Sequence, residues 1–305
     1  MRATAARAID LMTLKCLGIG LIFSVSLICA QSQVIVQKDV TYLEPDRTEK
    51  VDIYFPGKDH SSALPAVLLI HGGGWKEGDK ADKRGQSISS TLAEAGYIVF
   101  AVNYKLSGKA DDRGNWKAAW PQNLYDCKSA LRFIRKNAKQ FGVDPNRIAV
   151  MGESAGGHLA LLLGATEETD ILNRGGLYTE QSNKVSCVID MYGIPDLIEL
   201  SHVRDWVAPH FAGSGPAATL ENMRIASPST YFNSQDPPIM VIHGTDDPTV
   251  PYEISLRLVS RLKQLHVPYE FITVPEAGHS FNLQPKQMDL RPAVLDFLRR
   301  YLNRQ

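Results

Sequence analysis

The sequence predicts an α/β fold, a mostly parallel central sheet with helices on both faces. Three observations predict it. Continuous apolar runs, such as 66–70 and 185–191, read as strands buried on both faces, and they alternate with helical stripes along the chain. Gly152-Glu153-Ser154-Ala155-Gly156 stands between an apolar strand (147–151) and a helix of small and apolar residues (155–165). The glycine run His71-Gly72-Gly73-Gly74-Trp75 directly follows another apolar strand, 66–70.

Taken in order, the chain begins with Arg2, Arg7 and Lys15, then an apolar run over 16–30, then polar Gln31, Ser32 and Gln33. This is a secretory signal in outline over residues 1–30, cut after Ala30, because the run falls short of the roughly 20 residues that span a bilayer. A secreted or periplasmic location without stable membrane insertion is expected, with residues 31–305 as one domain. The charges balance, 33 basic against 33 acidic. That argues against nucleic acid as a partner, which would need a basic excess. Beyond the signal, Cys127 falls in a helical pattern and Cys187 in a strand pattern, so both read as small core residues rather than a disulfide.

Strands are expected at 34–36, 40–43 and 51–55, the last alternating as a half-exposed edge strand does. After 66–70, a helix over 87–95 stops at Gly96, a strand covers 97–102, and a helical stripe runs over 123–141 to Gly142. Beyond 185–191, strands at 239–242 and 269–274 alternate with helices at 252–265 and 292–302. Residues 194–238 break this rhythm with Pro, Gly and aromatic side chains and read as a lid-like insertion.

Gly-x-Ser-x-Gly between strand and helix is a nucleophile elbow, a sharp turn that lifts the Ser154 hydroxyl clear of the backbone. Small residues at 152, 156 and 157 let the turn close. The glycine run after 66–70 reads as a loop whose N–H groups receive an oxyanion, an effect of about 3 kcal/mol per donor. No Lys-Ser/Thr follows it, so a phosphate-binding loop fails. A serine nucleophile needs a base, and the base an orienting acid. Of the eight histidines, His60 lies in a polar loop, His71 leads the glycines as a loop brace, and His158 is one turn into the elbow helix. His243 ends a strand and His266 a helix. His202 and His210 sit in the insertion without acidic or cysteine partners at metal-ligand spacing, so neither metal nor cofactor is expected. His279 remains, in a loop after the last strand, where the order serine, acid, histidine places the base. Residue types alone leave both Asp246 and Asp247 open as the acid, with Asp190 a weaker third.

The segment His243-Gly-x-x-Asp247-x-x-Val250-Pro251 resembles the acid loop of α/β-hydrolase esterases and prolyl-oligopeptidase-like enzymes. In that pattern Asp247 is the triad acid, and Asp246 braces the loop. About 51–302 is similar to the α/β-hydrolase superfamily. His71-Gly-Gly-Gly-Trp75, Asn103-Tyr104-Lys-Leu106, Asp144-Pro-Asn-Arg147 and Gly152-Glu-Ser-Ala-Gly-Gly-His158 together resemble bacterial esterases that remove feruloyl or acetyl groups from plant xylan. Hormone-sensitive-lipase-like carboxylesterases are near neighbours, but they usually carry Asp where this chain has Glu153. The resemblance implies an α/β-hydrolase fold and oxyanion donors on the N–H groups of Gly73, Gly74 and Ala155. It also implies a serine esterase acting on short acyl or hydroxycinnamoyl esters, free or linked to polysaccharide. A small-molecule amidase or a peptidase-like hydrolase is the alternative on the same fold. Trp75, Tyr104, Trp116, Trp120, Trp206 and Phe281 either shape a pocket for an aromatic acyl group or fill a core.

Overall fold

The computed structural model describes residues 33–57, 60–109, 116–166 and 170–303, so the expected signal at 1–30 lies outside the described residues. The chain runs β1 (Ile35–Val40), β2 (Val51–Phe55), β3 (Leu64–Ile70), α1 (Lys83–Glu94), β4 (Ile98–Val102), a two-strand ribbon of β5 (Gly108–Lys109) and β6 (Trp116–Lys117), α2 (Gln122–Lys136) and α3 (Ala138–Phe141). It continues through β7 (Val143–Glu153), α4 (Ala155–Ala165), β8 (Val188–Met191), α5 (Leu197–Ser201), α6 (Pro216–Ala226), β9 (Ile239–Gly244), α7 (Tyr252–Gln264), β10 (Tyr269–Val274) and α8 (Arg291–Leu302).

The main sheet has eight strands in the order β1-β2-β4-β3-β7-β8-β9-β10. From β4 to β10 every pairing is parallel, while β1 and β2 pair antiparallel at one edge. This is the α/β-hydrolase architecture. Side chains alternate between two cores, as strand geometry requires: Ala66, Leu68 and Ile70 of β3 face one, Val67 and Leu69 the other. Register then places the chemistry. Ile70 pairs with Gly152, and Gly152 with Asp190, so the glycine run and the elbow leave the sheet side by side.

Local signals explain most boundaries. Asp82 caps α1 through a 2.6 Å hydrogen bond from the Gly85 N–H. The stripe over 123–141 is two helices rather than one. Asn137 leaves helical geometry, its side-chain amide donating to the Phe133 carbonyl at 2.9 Å, a local bond that competes with the helix. Cys127 and Cys187 are both buried and unpaired with each other, as core residues. Among the described residues no helix is long and apolar enough to cross a membrane.

Two strand expectations need correction. Residues 40–43 do not form a strand of their own. After β1 the chain turns inward, burying Tyr42 and Leu43, and the Tyr42 hydroxyl donates to the Asn103 carbonyl at 2.6 Å. Nor is β2 an edge, because β1 covers it and its first four residues are buried. Its alternation comes from Asp52, a buried carboxylate that accepts from the Asp39 N–H at 2.8 Å and pairs with Lys80 at 3.0 Å.

The insertion over 194–238 holds α5, α6 and 3₁₀ turns at Ala208–Phe211 and Pro228–Thr230. Leu197, Leu200, Val207, Phe211 and Ala226 are buried in the same core as α4 and Trp75. Burying a side chain of Val, Leu or Phe size stabilises by roughly 1.5–3 kcal/mol, so this segment is fastened to the body of the protein.

Candidate active site

The turn from β7 into α4 holds Ser154 at φ 52°, ψ −118°, a conformation costing about 1–3 kcal/mol for a residue with a side chain. Its neighbours must be small. A Cβ on Gly152 would overlap the Gly156 carbonyl, and one on Gly156 would overlap the carbonyls of Ile70 and His71. The elbow therefore lies directly against the end of β3.

The structure brings the expected nucleophile, base and acid together. His279 Nε2 is 2.9 Å from Ser154 Oγ, and His279 Nδ1 is 2.6 Å from Asp247 Oδ2. A carboxylate accepts, so Nδ1 carries the proton and Nε2 faces the serine hydroxyl as acceptor. Asp247 Oδ1 accepts the N–H groups of Thr249 at 2.8 Å and Val250 at 2.9 Å. Burial alone would raise the Asp247 carboxyl. Hydrogen bonds from His243 and His279, with the charge of His279, outweigh it and hold Asp247 well below the ordinary carboxylate range.

His243, set aside by its position at a strand end, proves to be part of this site. It is buried, with Nε2 3.1 Å from Asp247 Oδ2 and 3.0 Å from the Val250 carbonyl. That carbonyl only accepts, so Nε2 is the donor, and Nδ1 accepts from Ser255 Oγ at 2.6 Å. The sequence signal was available, a histidine at a strand end four residues before the acid. Asp246 is exposed, and its N–H donates to the Ala277 carbonyl at 3.0 Å, which ties its turn to the His279 loop. Asp190 is fully buried on β8, its Oδ1 accepting the Gly193 N–H at 2.9 Å and its Oδ2 without a hydrogen-bond partner among the described residues.

Gly73, Gly74 and Trp75 all have positive φ, at 106°, 57° and 58°. The Gly73 carbonyl accepts from the N–H groups of Lys76 and Glu77, both at 3.1 Å. Among the described residues, neither the Gly73 nor the Gly74 N–H is spent on a backbone carbonyl. Ala155 is the first residue of α4, so its N–H has no partner within the helix. A cavity of about 450 Å³ lies here, lined by Gly73, Gly74, Ser154, Trp206 and His279.

The loop is held from beneath. Trp75 Nε1 donates to His158 Nδ1 at 3.1 Å, and His158 Nε2 donates to the Ala226 carbonyl of the insertion at 2.7 Å. Burial lowers His158 to about 4, keeping the ring neutral for this role. His71 donates from Nδ1 to the Gly72 carbonyl at 2.7 Å and stacks on Tyr104, ring centroids 4.4 Å apart. It braces the loop, as expected.

Glu153 supports the other side. It accepts from Arg84 Nε and lies 2.9 Å from the Tyr192 hydroxyl, which is also 2.9 Å from the Phe281 carbonyl. Burial raises the Glu153 carboxyl, opposed by the charge of Arg84 and the hydrogen bonds it accepts. The Tyr192 ring packs edge-on to His279 at 4.8 Å. Nothing in the residue pattern pointed to Tyr192. Among the aromatics, Trp75 and Tyr104 are core residues and Trp120 packs on Phe211, whereas Trp206 lines the cavity. The side chain of Trp116 lies outside the described residues.

The sequence profile of the BD-FAE family matches residues 51–262. The chain belongs to the BD-FAE family. It is 31% identical over 254 residues to LipM of Mycobacterium tuberculosis, described as a probable carboxylic ester hydrolase, covering 80% of this chain and 56% of LipM. It spans little more than half the length of the curated mycobacterial relatives it matches. Among solved structures, a truncated carbohydrate esterase from gut microbiota superposes with a TM-score of 0.76 at 25% identity, over 90% of this chain and 99% of that one. An acetyl ester-xyloside bifunctional hydrolase from Caldicellulosiruptor lactoaceticus superposes with a TM-score of 0.67 at 25% identity, over 90% and 98%. This member of the BD-FAE family thus shares its fold with esterases.

Proposed function

We propose that this protein is a carboxylic ester hydrolase acting through Ser154, His279 and Asp247, with no cofactor or metal in the reaction. The observation that carries the reading is the single imidazole of His279, bonded at one nitrogen to Ser154 Oγ and at the other to Asp247. Ser154 Oγ attacks the ester carbonyl while its proton passes to His279 Nε2. Asp247, held ionised, stabilises the imidazolium and fixes its tautomer. The carbonyl oxygen becomes an oxyanion facing the N–H groups of Gly73, Gly74 and Ala155. As the tetrahedral intermediate collapses, the ester C–O bond breaks and His279 returns the proton to the leaving alcohol. Water, deprotonated by His279, then cleaves the acyl-enzyme and frees Ser154.

The substrate class follows from two supports. The cavity at Ser154 carries Glu77, Asp82, Lys76 and Arg84 beside one aromatic, Trp206. Such a lining suits short acyl or hydroxycinnamoyl groups better than a long alkyl chain, whose burial depends on apolar area at about 0.8 kcal/mol per methylene. The likeness to a carbohydrate esterase and an acetyl ester-xyloside hydrolase supports esters carried on carbohydrate, which the resemblance to xylan esterases extends to plant cell-wall polysaccharide. The segment over 194–238, which contributes Trp206 to this cavity, acts as a fixed lid, and residues 1–30 direct the chain to the periplasm or exterior.

Fluorophosphonate labelling at Ser154, together with kcat/KM across nitrophenyl acetate, butyrate, octanoate and palmitate and methyl ferulate, tests the reading. Labelling and a profile highest at short acyl chains or ferulate are expected. Cleavage of amides in preference to the matched esters would make it an amidase, and a profile rising steadily to palmitate would remove the substrate class.

A further inference from the structure

A second cavity, of about 470 Å³, meets His279. It shares Arg84, His279 and Ser280 with the first but touches neither Ser154 nor the glycine run. Its charges differ too. The cavity at Ser154 sets Glu77 and Asp82 against Lys76 and Arg84. The second is lined by Lys83, Arg84 and Lys286, with no carboxylate among its lining residues. Arg84 is committed to the buried Glu153. Lys83 and Lys286 have no ion-pair partner among the described residues, so a net positive field remains over this groove. The groove is also lined by the exposed Gln284 side chain, the half-buried Phe281 ring and Asn282, whose Oδ1 already accepts the Gln284 N–H at 2.8 Å. Amides both donate and accept, as sugar hydroxyls require of a binding surface.

The proposed reaction decides which half of the ester meets this groove. When the C–O bond breaks, the acyl group stays on Ser154 and the alcohol oxygen takes its proton from His279 Nε2. The alcohol therefore lies against His279, and a cavity that reaches His279 but not Ser154 belongs to it. We propose that this groove is the subsite for the alcohol half and takes a saccharide bearing a carboxylate, such as a uronic acid, with Lys83 and Lys286 facing the anion. The inference rests on the esterase reading above. Exposed charge pairs are individually weak and screened by salt, so the effect is a graded preference rather than an absolute requirement.

The test compares kcat/KM for the acetate ester of a methyl uronoside with that of its uronamide, which is the same shape and neutral. At low salt the acid is expected to be preferred about three- to tenfold, two exposed pairs being at stake. The preference should shrink towards parity in about 1 M salt, where the screening length is near 3 Å. It should also vanish in the double variant Lys83→Gln/Lys286→Gln. The ratio is taken within one preparation, so it does not depend on how much of the variant is folded. A ratio of one or less in the unaltered protein, or a preference that survives the double substitution, overturns the subsite. Nitrophenyl acetate separates the two failures. If it is cleaved while the ratio is one, only the subsite is lost; if it is not cleaved, the esterase reading falls and the subsite with it.

Discussion

Asp190 on β8 and Asp247 in the turn after β9 are both buried aspartates at neighbouring strand ends, yet their carboxyls titrate in opposite directions. Asp247 Oδ1 receives two N–H groups and its Oδ2 meets two imidazoles, and it is held well below the usual range. Asp190 Oδ1 receives one N–H, and its Oδ2 has no hydrogen-bond partner among the described residues. Burial raises Asp190 to about 7, against the opposing influence of His243 and the Gly193 N–H. The number of donors, together with the deeper burial of Asp190, separates a carboxylate fit to steady an imidazolium from one that keeps its proton.

The largest test of this contrast is kinetic. Asp247→Asn is expected to lower kcat by roughly 10³–10⁴, since the amide no longer enforces the His279 tautomer. Asp190→Asn should keep kcat within the same order of magnitude in a steady-state ester assay. Equal losses from the two substitutions would break the comparison.

The second test is thermodynamic. Unfolded, Asp190 loses its proton near the ordinary aspartate value; folded, it keeps the proton to about 7. The folded state binds the extra proton across that window, so stability from this group is present at low pH and is lost as pH rises from about 4 through 7. The full difference is roughly 4 kcal/mol at most. Urea unfolding at pH 5 and pH 8 should show Asp190→Asn gaining on the unaltered protein at the higher pH. A pH-independent difference would mean that Asp190 is already ionised in the fold.

Third, His243→Ala should lower kcat by about 10- to 100-fold with little change in KM. It removes one donor from Asp247 and loosens the turn, and misplacement of about 1 Å costs on that order. A rise in KM alone would assign His243 to substrate binding. The smallest effect belongs to Asp246→Asn. Its carboxylate faces solvent and, among the described residues, accepts only the Thr245 hydroxyl, at 2.9 Å, so kcat should be nearly unchanged. If this variant were inactive and Asp247→Asn active, the acid would be Asp246.

Much of the site is legible because its parts are tied to periodicity. Ser154 stands where a strand pattern meets a helix pattern, and His279 survives elimination because it is the histidine in the loop after the last strand, where the chain order serine, acid, histidine places the base. Asp247 is not legible against Asp246 from residue type. Two adjacent aspartates look alike until the turn geometry aims the Thr249 and Val250 N–H groups at one of them. His243 and Tyr192 escape for a similar reason. The role of His243 appears only when the turn folds Asp247, Val250 and Ser255 back onto its ring, and that of Tyr192 arises from cross-strand register, which sets β8 beside β9 and brings the Tyr192 ring against His279. In the fold, 51–55 misleads because Asp52 is buried with a partner, Lys80, that lies far along the chain.

For recombination between relatives, the contact from Trp75 through His158 to Ala226 makes three distant segments one heritable unit. The imidazole has two nitrogens, and each is already engaged, one by the indole and one by a carbonyl of 194–238. A chimera that takes 194–238 from one parent and 71–75 from another shifts that carbonyl or that indole and leaves a buried polar group unmatched, at about 1–3 kcal/mol. The strain would fall on Gly73 and Gly74, next in the chain to Trp75, so such a hybrid should fold and yet bind oxyanions poorly. Crossovers that carry 71–75, 155–165 and 194–238 together preserve the unit, whereas α1 and α7 stay tied to the site through Arg84 on Glu153 and Ser255 on His243.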